Sequence, residues 1–289
     1  MSANQLCAVI GLGNMGIEVA GRLALAGPVR GFDTSPERIA LATARFLPVA
    51  DTLIATVAGA SAVVLSLPTP AVSLATVQTL AQAMPRGTLI IETSTVIPSD
   101  TAKMLAICDA AGIGFIDAAI QSGVEIMARG GSMLLIGGAQ ADIARAKPWL
   151  DAMASLQTVM GPVGAGSAAK VVNNAVAHAV YVVLVEALAM ARANGIGTDA
   201  FVDLLRGPDA GLMRPLTHRI GERVAGGNYA PGMLMEAARK DSTLALAMAQ
   251  QDGIPLFAVQ AAHTVYELAC AQGMGREDYA ALAKLWPGL

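Results

Sequence analysis

The chain has 289 residues, with 19 Lys and Arg against 22 Asp and Glu and a net charge of −3. That length suggests about two domains, each with room for a substantial core. Only 14% of the residues are charged and no run of Lys or Arg occurs, so the chain lacks the basic field that grips nucleic acid.

The first residues carry neither a basic stretch nor a long apolar one, and Cys7 already lies in an apolar run. No export signal is expected, and the protein reads as soluble and cytoplasmic. The three cysteines, Cys7, Cys108 and Cys270, are widely spaced and form no CxxC pair, which excludes a disulfide framework and a thiolate metal site.

From residue 5 to about 160, short apolar runs alternate with amphipathic stretches. The pattern predicts strands at 5–10, 29–32, 62–67, 88–91, 115–117 and 133–136, with helices at 15–26, 71–83, 99–111 and 139–153. Such alternation predicts a parallel, doubly wound sheet with helices on both faces. Residues 52–85 carry no charge, yet Gly59, Pro68 and Pro70 interrupt them, so they do not form a membrane span.

Gly11-Leu12-Gly13-Asn14-Met15-Gly16 follows the first strand and opens the first helix. The first glycine permits a tight turn, the second lets a pyrophosphate approach the backbone, and the third lets helix and strand pack closely. The helix N-terminus then offers free N–H groups and its positive dipole end to phosphates. Residues 1–162 are accordingly read as a dinucleotide-binding domain. Asp33 ends the second strand, where a carboxylate accepts hydrogen bonds from ribose hydroxyls and repels a 2′-phosphate. NAD is therefore expected, with NADP possible; Arg38 reads as a solvated residue or as a phosphate partner. Two later loops, 66–70 and 92–98, stand at the carboxyl ends of strands. They read equally as ordinary Ser/Thr and Pro helix starts or as borders of the cofactor crevice.

After residue 163 the rhythm changes. Residues 167–194 read as one long helix, within a segment 163–195 linking two domains, that is apolar nearly all round and stops at Gly195. Asn173, Asn174, His178 and Glu186 argue against a membrane span. A helix apolar on every face is expected to be buried, between domains or between subunits. Residues 196–289 show helical patterns and no persuasive strand. Lys170 lies in the first turn of the long helix, and Asn174 and His178 continue its face at intervals of four. Burial and the helix dipole both lower a lysine pKa toward the range of a general acid or base. On these residues alone, a lysine reaching for solvent is the competing reading. His178, His218 and His263 read as satisfied core histidines.

With these residues in place, the chain resembles the β-hydroxyacid dehydrogenase family, which includes 3-hydroxyisobutyrate dehydrogenase and tartronate semialdehyde reductase. Residues 11–16 look like its cofactor loop and residues 117–124 like its substrate segment. Residues 164–174, with the spacing G-x-G-x3-K-x2-N-N, resemble its catalytic segment, and residues 240–246 its late cofactor-side helix. The likeness implies a Rossmann domain, a long interdomain helix and an all-helical domain over 196–289 like that of 6-phosphogluconate dehydrogenase. It also implies an NAD(P)-dependent oxidoreductase without a metal, acting on a small carboxylic acid as a homodimer or homotetramer. By the same likeness Lys170 is the acid/base, and Gln121, Ser122, Gly123 and Asn174 contact substrate. Leu67, Pro68, Thr95 and Lys240 join residues 11–16 and Asp33 at the cofactor, with Asp241 supporting Lys240. The substrate segment departs from the family's usual Asp-Ala-Pro-Val-Ser-Gly-Gly: Ala119, Gln121 and Ser122 replace its proline, serine and first glycine, which reshapes the pocket. Arg129 is expected at the surface. Two alternatives remain: an NADPH-dependent imine reductase, a class that shares this architecture but generally lacks the lysine, and a non-catalytic NAD-binding sensor.

Overall fold

The computed structural model describes residues 5–289. The chain divides into two compact units, the boundary falling after Ala175. In the first, β1 (Cys7–Ile10), α1 (Asn14–Ala24), β2 (Val29–Phe32), α2 (Pro36–Ala44), α3 (Leu53–Val57), β3 (Ala62–Leu65), α4 (Pro70–Ala83), β4 (Leu89–Glu92) and α5 (Pro98–Ala111) alternate as the apolar runs predict. They are followed by β5 (Gly114–Gln121), α6 (Val124–Ala128), β6 (Met133–Gly138), α7 (Gln140–Met153) and β7 (Leu156–Gly161). The seven strands form one sheet in the order β2-β1-β3-β4-β5-β6-β7.

Neighbouring residues of β1 show why the runs are apolar throughout. Cys7 and Val9 enter a core beneath α1 and α7, while Ala8 and Ile10 enter a second core beneath α4 and α5. A strand covered on both faces has no polar side to present. Two corrections follow. All ladders are parallel except β5–β6, which is antiparallel, and β7 is a seventh strand that the apolar-run pattern did not predict. β7 is the sheet's edge and leaves Leu156, Val159 and Met160 exposed. The fifth strand also runs on to Gln121 rather than stopping at Asp117, so Gln121 stands at a strand end.

The long helix, α8, spans Ala165–Ala193. Its most apolar window has a mean hydropathy of 1.7, enough by length and composition to cross a membrane. Two turns before its C-terminal end, however, Glu186 accepts the amides of Phe257, Ala258 and Val259 at 2.7, 2.8 and 3.0 Å, so its carboxylate caps α11 (Ala258–Ala271) instead of facing lipid. The expected burial on every face is not met in the single chain: Val172 is 63% exposed, Val176 58% and Tyr181 68%.

In the second unit, α9 (Thr198–Leu205), a ten-residue π-helical segment (Pro215–Val224) and α10 (Met235–Gln251) precede α11, and two 3₁₀ turns (Met274–Arg276, Tyr279–Leu285) close the chain. Met235, Ala269, Met274 and Ala281 form its buried core with Tyr229, Tyr266 and Tyr279 against them. The fully buried Asp278 pairs with Arg219 at 3.2 Å and Arg223 at 3.7 Å, and the Arg219 guanidinium stacks 4.3 Å from the centre of the Tyr279 ring. The π-helical segment is thereby tied to the last turn of the chain.

Candidate active site

The loop between β1 and α1 is shaped by close backbone approach. Gly11 has φ +93° and faces the Ser66 carbonyl, while a Cβ on Gly16 would stand 1.9 Å from the Gly11 carbonyl oxygen. No side chain but hydrogen fits either place. A Cβ on Gly13 would meet nothing within 4 Å, because Gly13 faces an open cleft of about 640 Å³. Gly13 is the N-cap of α1 and brings no side-chain acceptor to its first amides. Those donors are left for an anion such as a pyrophosphate. The residues present therefore fit a dinucleotide.

Asp33 braces this loop. Its Oδ2 accepts the Leu12 amide at 2.7 Å and its Oδ1 the Ser35 amide at 2.8 Å. Gly11, Gly13, Asn14, Met15, Gly16, Asp33, Leu67 and Pro68 line the cleft together. Leu12 does not: its side chain is fully buried, and only its amide serves the loop. Arg38 lines the cleft half-buried and donates to Asn14 Oδ1 at 2.8 Å, so it is more than a solvated surface group.

The two readings of the later loops divide between residues. Thr69 caps α4 by accepting the Val72 amide at 3.3 Å, while Leu67 and Pro68 border the cleft. Ser94 Oγ accepts the Leu67 amide at 2.8 Å and joins the two loops. Thr95 is exposed and is not among the residues lining the cleft. Glu92, beneath these loops, is fully buried; its Oε1 accepts the Ser94 amide at 2.7 Å and its Oε2 has no partner. Burial pushes this carboxyl above its ordinary range, hydrogen bonds from Ser94 and Ser73 oppose the shift, and Asp117 adds to it.

Asp117 pairs with Glu92 across the β4–β5 ladder. Its Oδ1 accepts the Gly164 amide at 2.7 Å and its Oδ2 the Ser167 amide at 2.6 Å. The amide of Gly164, just before α8, and that of Ser167, in its first turn, are thus pinned to the sheet. Gly166 completes the contact, since a Cβ there would lie 2.3 Å from the Leu135 carbonyl oxygen. One turn on, Lys170 Nζ donates to Gln121 Oε1 at 3.2 Å. Burial lowers the Lys170 pKa, since an ammonium loses hydration there.

Asn174 is half-buried one turn beyond Lys170, but His178 is exposed, a correction to its reading as a core histidine. His218 and His263 are half-buried and hydrogen-bonded, His218 to Glu222 and His263 to Ser242. Ser122 Oγ shares a hydrogen bond of 2.6 Å with the buried Ser132 hydroxyl. Gly123 and Arg129 are exposed, Arg129 turning back to the Glu125 carbonyl. Lys240 is an exposed partner of Asp241 at 3.3 Å. Burial pushes the Cys108 thiol up to about 12 and raises Cys7 further, so neither is a reactive thiolate at neutral pH. Among the described residues, no three His, Cys, Asp or Glu side chains converge on a metal-sized site.

The roles of Asp117 and Glu92 as braces were not read from the sequence. The available signal was a single acidic residue in each of two largely apolar runs, Glu92 and Asp117, where an unpaired charge is costly.

Residues 7–164 match the family model described as the NAD binding domain of 6-phosphogluconate dehydrogenase. Residues 164–286 match that described as NAD-binding of NADP-dependent 3-hydroxyisobutyrate dehydrogenase. A probable 3-hydroxyisobutyrate dehydrogenase of Mycobacterium tuberculosis is 31% identical over 246 residues, covering 83% of each chain. The solved structure of M. tuberculosis 3-hydroxyisobutyrate dehydrogenase with L-serine superposes with a TM-score of 0.68 at 27% identity, over 97% of this chain and 98% of that one. An imine reductase from Pseudomonas sp. superposes with a TM-score of 0.87 over 97% and 99% of the two chains, but at 19% identity this likeness concerns the fold alone.

Proposed function

Because the chain belongs to the β-hydroxyacid dehydrogenase family and is an NAD(P)-dependent hydroxyacid dehydrogenase, we propose that its substrate is a small 3-hydroxy acid or the corresponding semialdehyde, with Lys170 as general acid/base and no metal. The bound nicotinamide supplies the hydride acceptor in oxidation and the donor in reduction. In oxidation, the neutral Lys170 amine takes the proton from the substrate hydroxyl oxygen; in reduction, the ammonium returns it. Asn174, one turn along the same helix face, orients that oxygen. Gln121 Nε2, the Ser122 hydroxyl and the Gly123 amide hold the carboxylate.

The observation that carries this reading is the Lys170 amine, its pKa lowered by burial, on a helix start pinned to the cofactor domain by Asp117. Lys170→Ala tests it when NAD affinity and turnover are measured separately. Affinity is expected to persist while turnover falls by about 10²–10⁴-fold; unchanged turnover rejects the assignment. A panel of 3-hydroxy acids, with 3-hydroxyisobutyrate and L-serine among them, separates an enzyme from a sensor.

Asp33 favours NAD, because its carboxylate stands where a 2′-phosphate would add like charge. Leu67 and Pro68 border the cofactor, Thr95 is assigned to the nicotinamide side, and Lys240 closes on the cofactor with support from Asp241. The protein is read as soluble and cytoplasmic. The apolar length of α8 supports a homodimer or homotetramer in which a second copy covers Val172, Val176 and Tyr181. A monomer by light scattering would refute that assembly.

A further inference from the structure

Lys170 and Gln121 lie 49 positions apart in sequence, yet Nζ and Oε1 are 3.2 Å apart. Gln121 ends β5 and Lys170 sits one turn into α8, and the two elements are locked together by the bonds from Asp117 to Gly164 and Ser167. Among the described residues this is the one side-chain hydrogen bond that Lys170 makes, and it has no ion-pair partner. The carboxylates on β4, β5 and at the start of α5 are engaged elsewhere: Glu92 with the Ser94 amide, Asp117 with backbone amides, and Asp100 with the Ile97 amide; Glu125 on α6 is solvent-exposed. β6 carries no charged residue.

We infer that Gln121 is the positioning residue of Lys170: its amide oxygen holds the amine in place without supplying a countercharge. The inference rests on the acid/base reading of Lys170 and adds to it. A carboxylate at this place would fix the amine equally well but would favour the ammonium, whereas a neutral acceptor orients Nζ and leaves the effect of burial intact. The remaining Gln121 amide hydrogens stay free to meet substrate, so one side chain serves both the base and the bound acid.

The test follows the Lys170 side chain directly, by NMR titration of lysine-labelled protein with NAD added, its resonance assigned by its loss in Lys170→Arg. Gln121→Glu is expected to move the titration midpoint up by about 1 to 3 units, as an opposite charge at this range does. Gln121→Met keeps the length and removes the acceptor. It is expected to leave NAD affinity within about twofold and to lower turnover about tenfold or more, with a midpoint no higher than in the parent. A midpoint unmoved in Gln121→Glu, or turnover unmoved in Gln121→Met, would overturn the inference. Retained turnover in Lys170→Ala alongside a shifted midpoint in Gln121→Glu would instead overturn the acid/base reading while leaving the contact real.

Discussion

The Asp117 carboxylate accepts the Ser167 amide at 2.6 Å, and that bond sets where the long helix begins relative to the sheet. Together with the bond to Gly164 it gives both carboxylate oxygens a buried partner. Asp117→Ala would strand two buried amides, each costing about 1–3 kcal/mol. The variant is expected to lose about 2 kcal/mol or more in urea unfolding. Its turnover should fall further than its NAD affinity, because the damage is at the lysine end of the domain. Unfolding curves matching those of the parent would show that the clamp is dispensable.

Glu92 carries a pH signature of its own. Its folded pKa is raised, so its contribution to stability is complete below the ordinary carboxylate range and is lost as pH rises through the folded value. Glu92→Gln keeps the shape without the titration. The two proteins should have nearly equal Tm near pH 4, and the variant should gain on the parent as pH rises toward 9. Parallel Tm curves would contradict this.

Glu186 has the opposite sign. Burial pulls its pKa up, but the amides of Ala258, Val259 and Phe257 outweigh burial and hold it below its ordinary value. Its stabilising effect is present above the unfolded pKa and fades as pH falls through the folded one. Glu186→Ala is expected to cost about 2–3 kcal/mol at pH 7, in line with hydrogen bonds to a charged group. The deficit should shrink in acid, as read from unfolding at pH 7 and pH 3.

Arg38 reaches into the cofactor cleft and bonds Asn14 rather than a carboxylate. Arg38→Ala should leave NAD affinity within about twofold while weakening NADP by about tenfold, or 1.4 kcal/mol. Fluorescence titration with both nucleotides checks this, and equal losses for the two would show that the guanidinium serves the loop alone.

The first six strands, the cofactor loop and the long helix were legible because each depends on local pattern: apolar runs, glycine spacing, a glycine stop. β7 was missed because residues 156–161 face outward at a sheet edge and form no apolar run. The antiparallel pairing of β5 and β6 was not legible, because it turns on β5 running on to Gln121. A strand ending at Asp117 leaves residues 118–132 as room for a parallel crossover, which takes a dozen or more, whereas residues 122–132 are too few. The hydrogen bond between Gln121 and Lys170 is beyond local reading, since it depends on how β5 and α8 are pinned. His178 failed for a related reason: whether a face of α8 is covered depends on more than one chain's own periodicity.

The paired hydroxyls of Ser122 and Ser132 fasten the two feet of the excursion that carries α6. The detour is also anchored at its middle, where the fully buried Met127 enters the core beneath α1 and Gly130 keeps a left-handed backbone. Its exposed positions, such as Gly123, Glu125 and Arg129, are therefore where new acid preferences can be grafted while Gln121 keeps its hold on the amine.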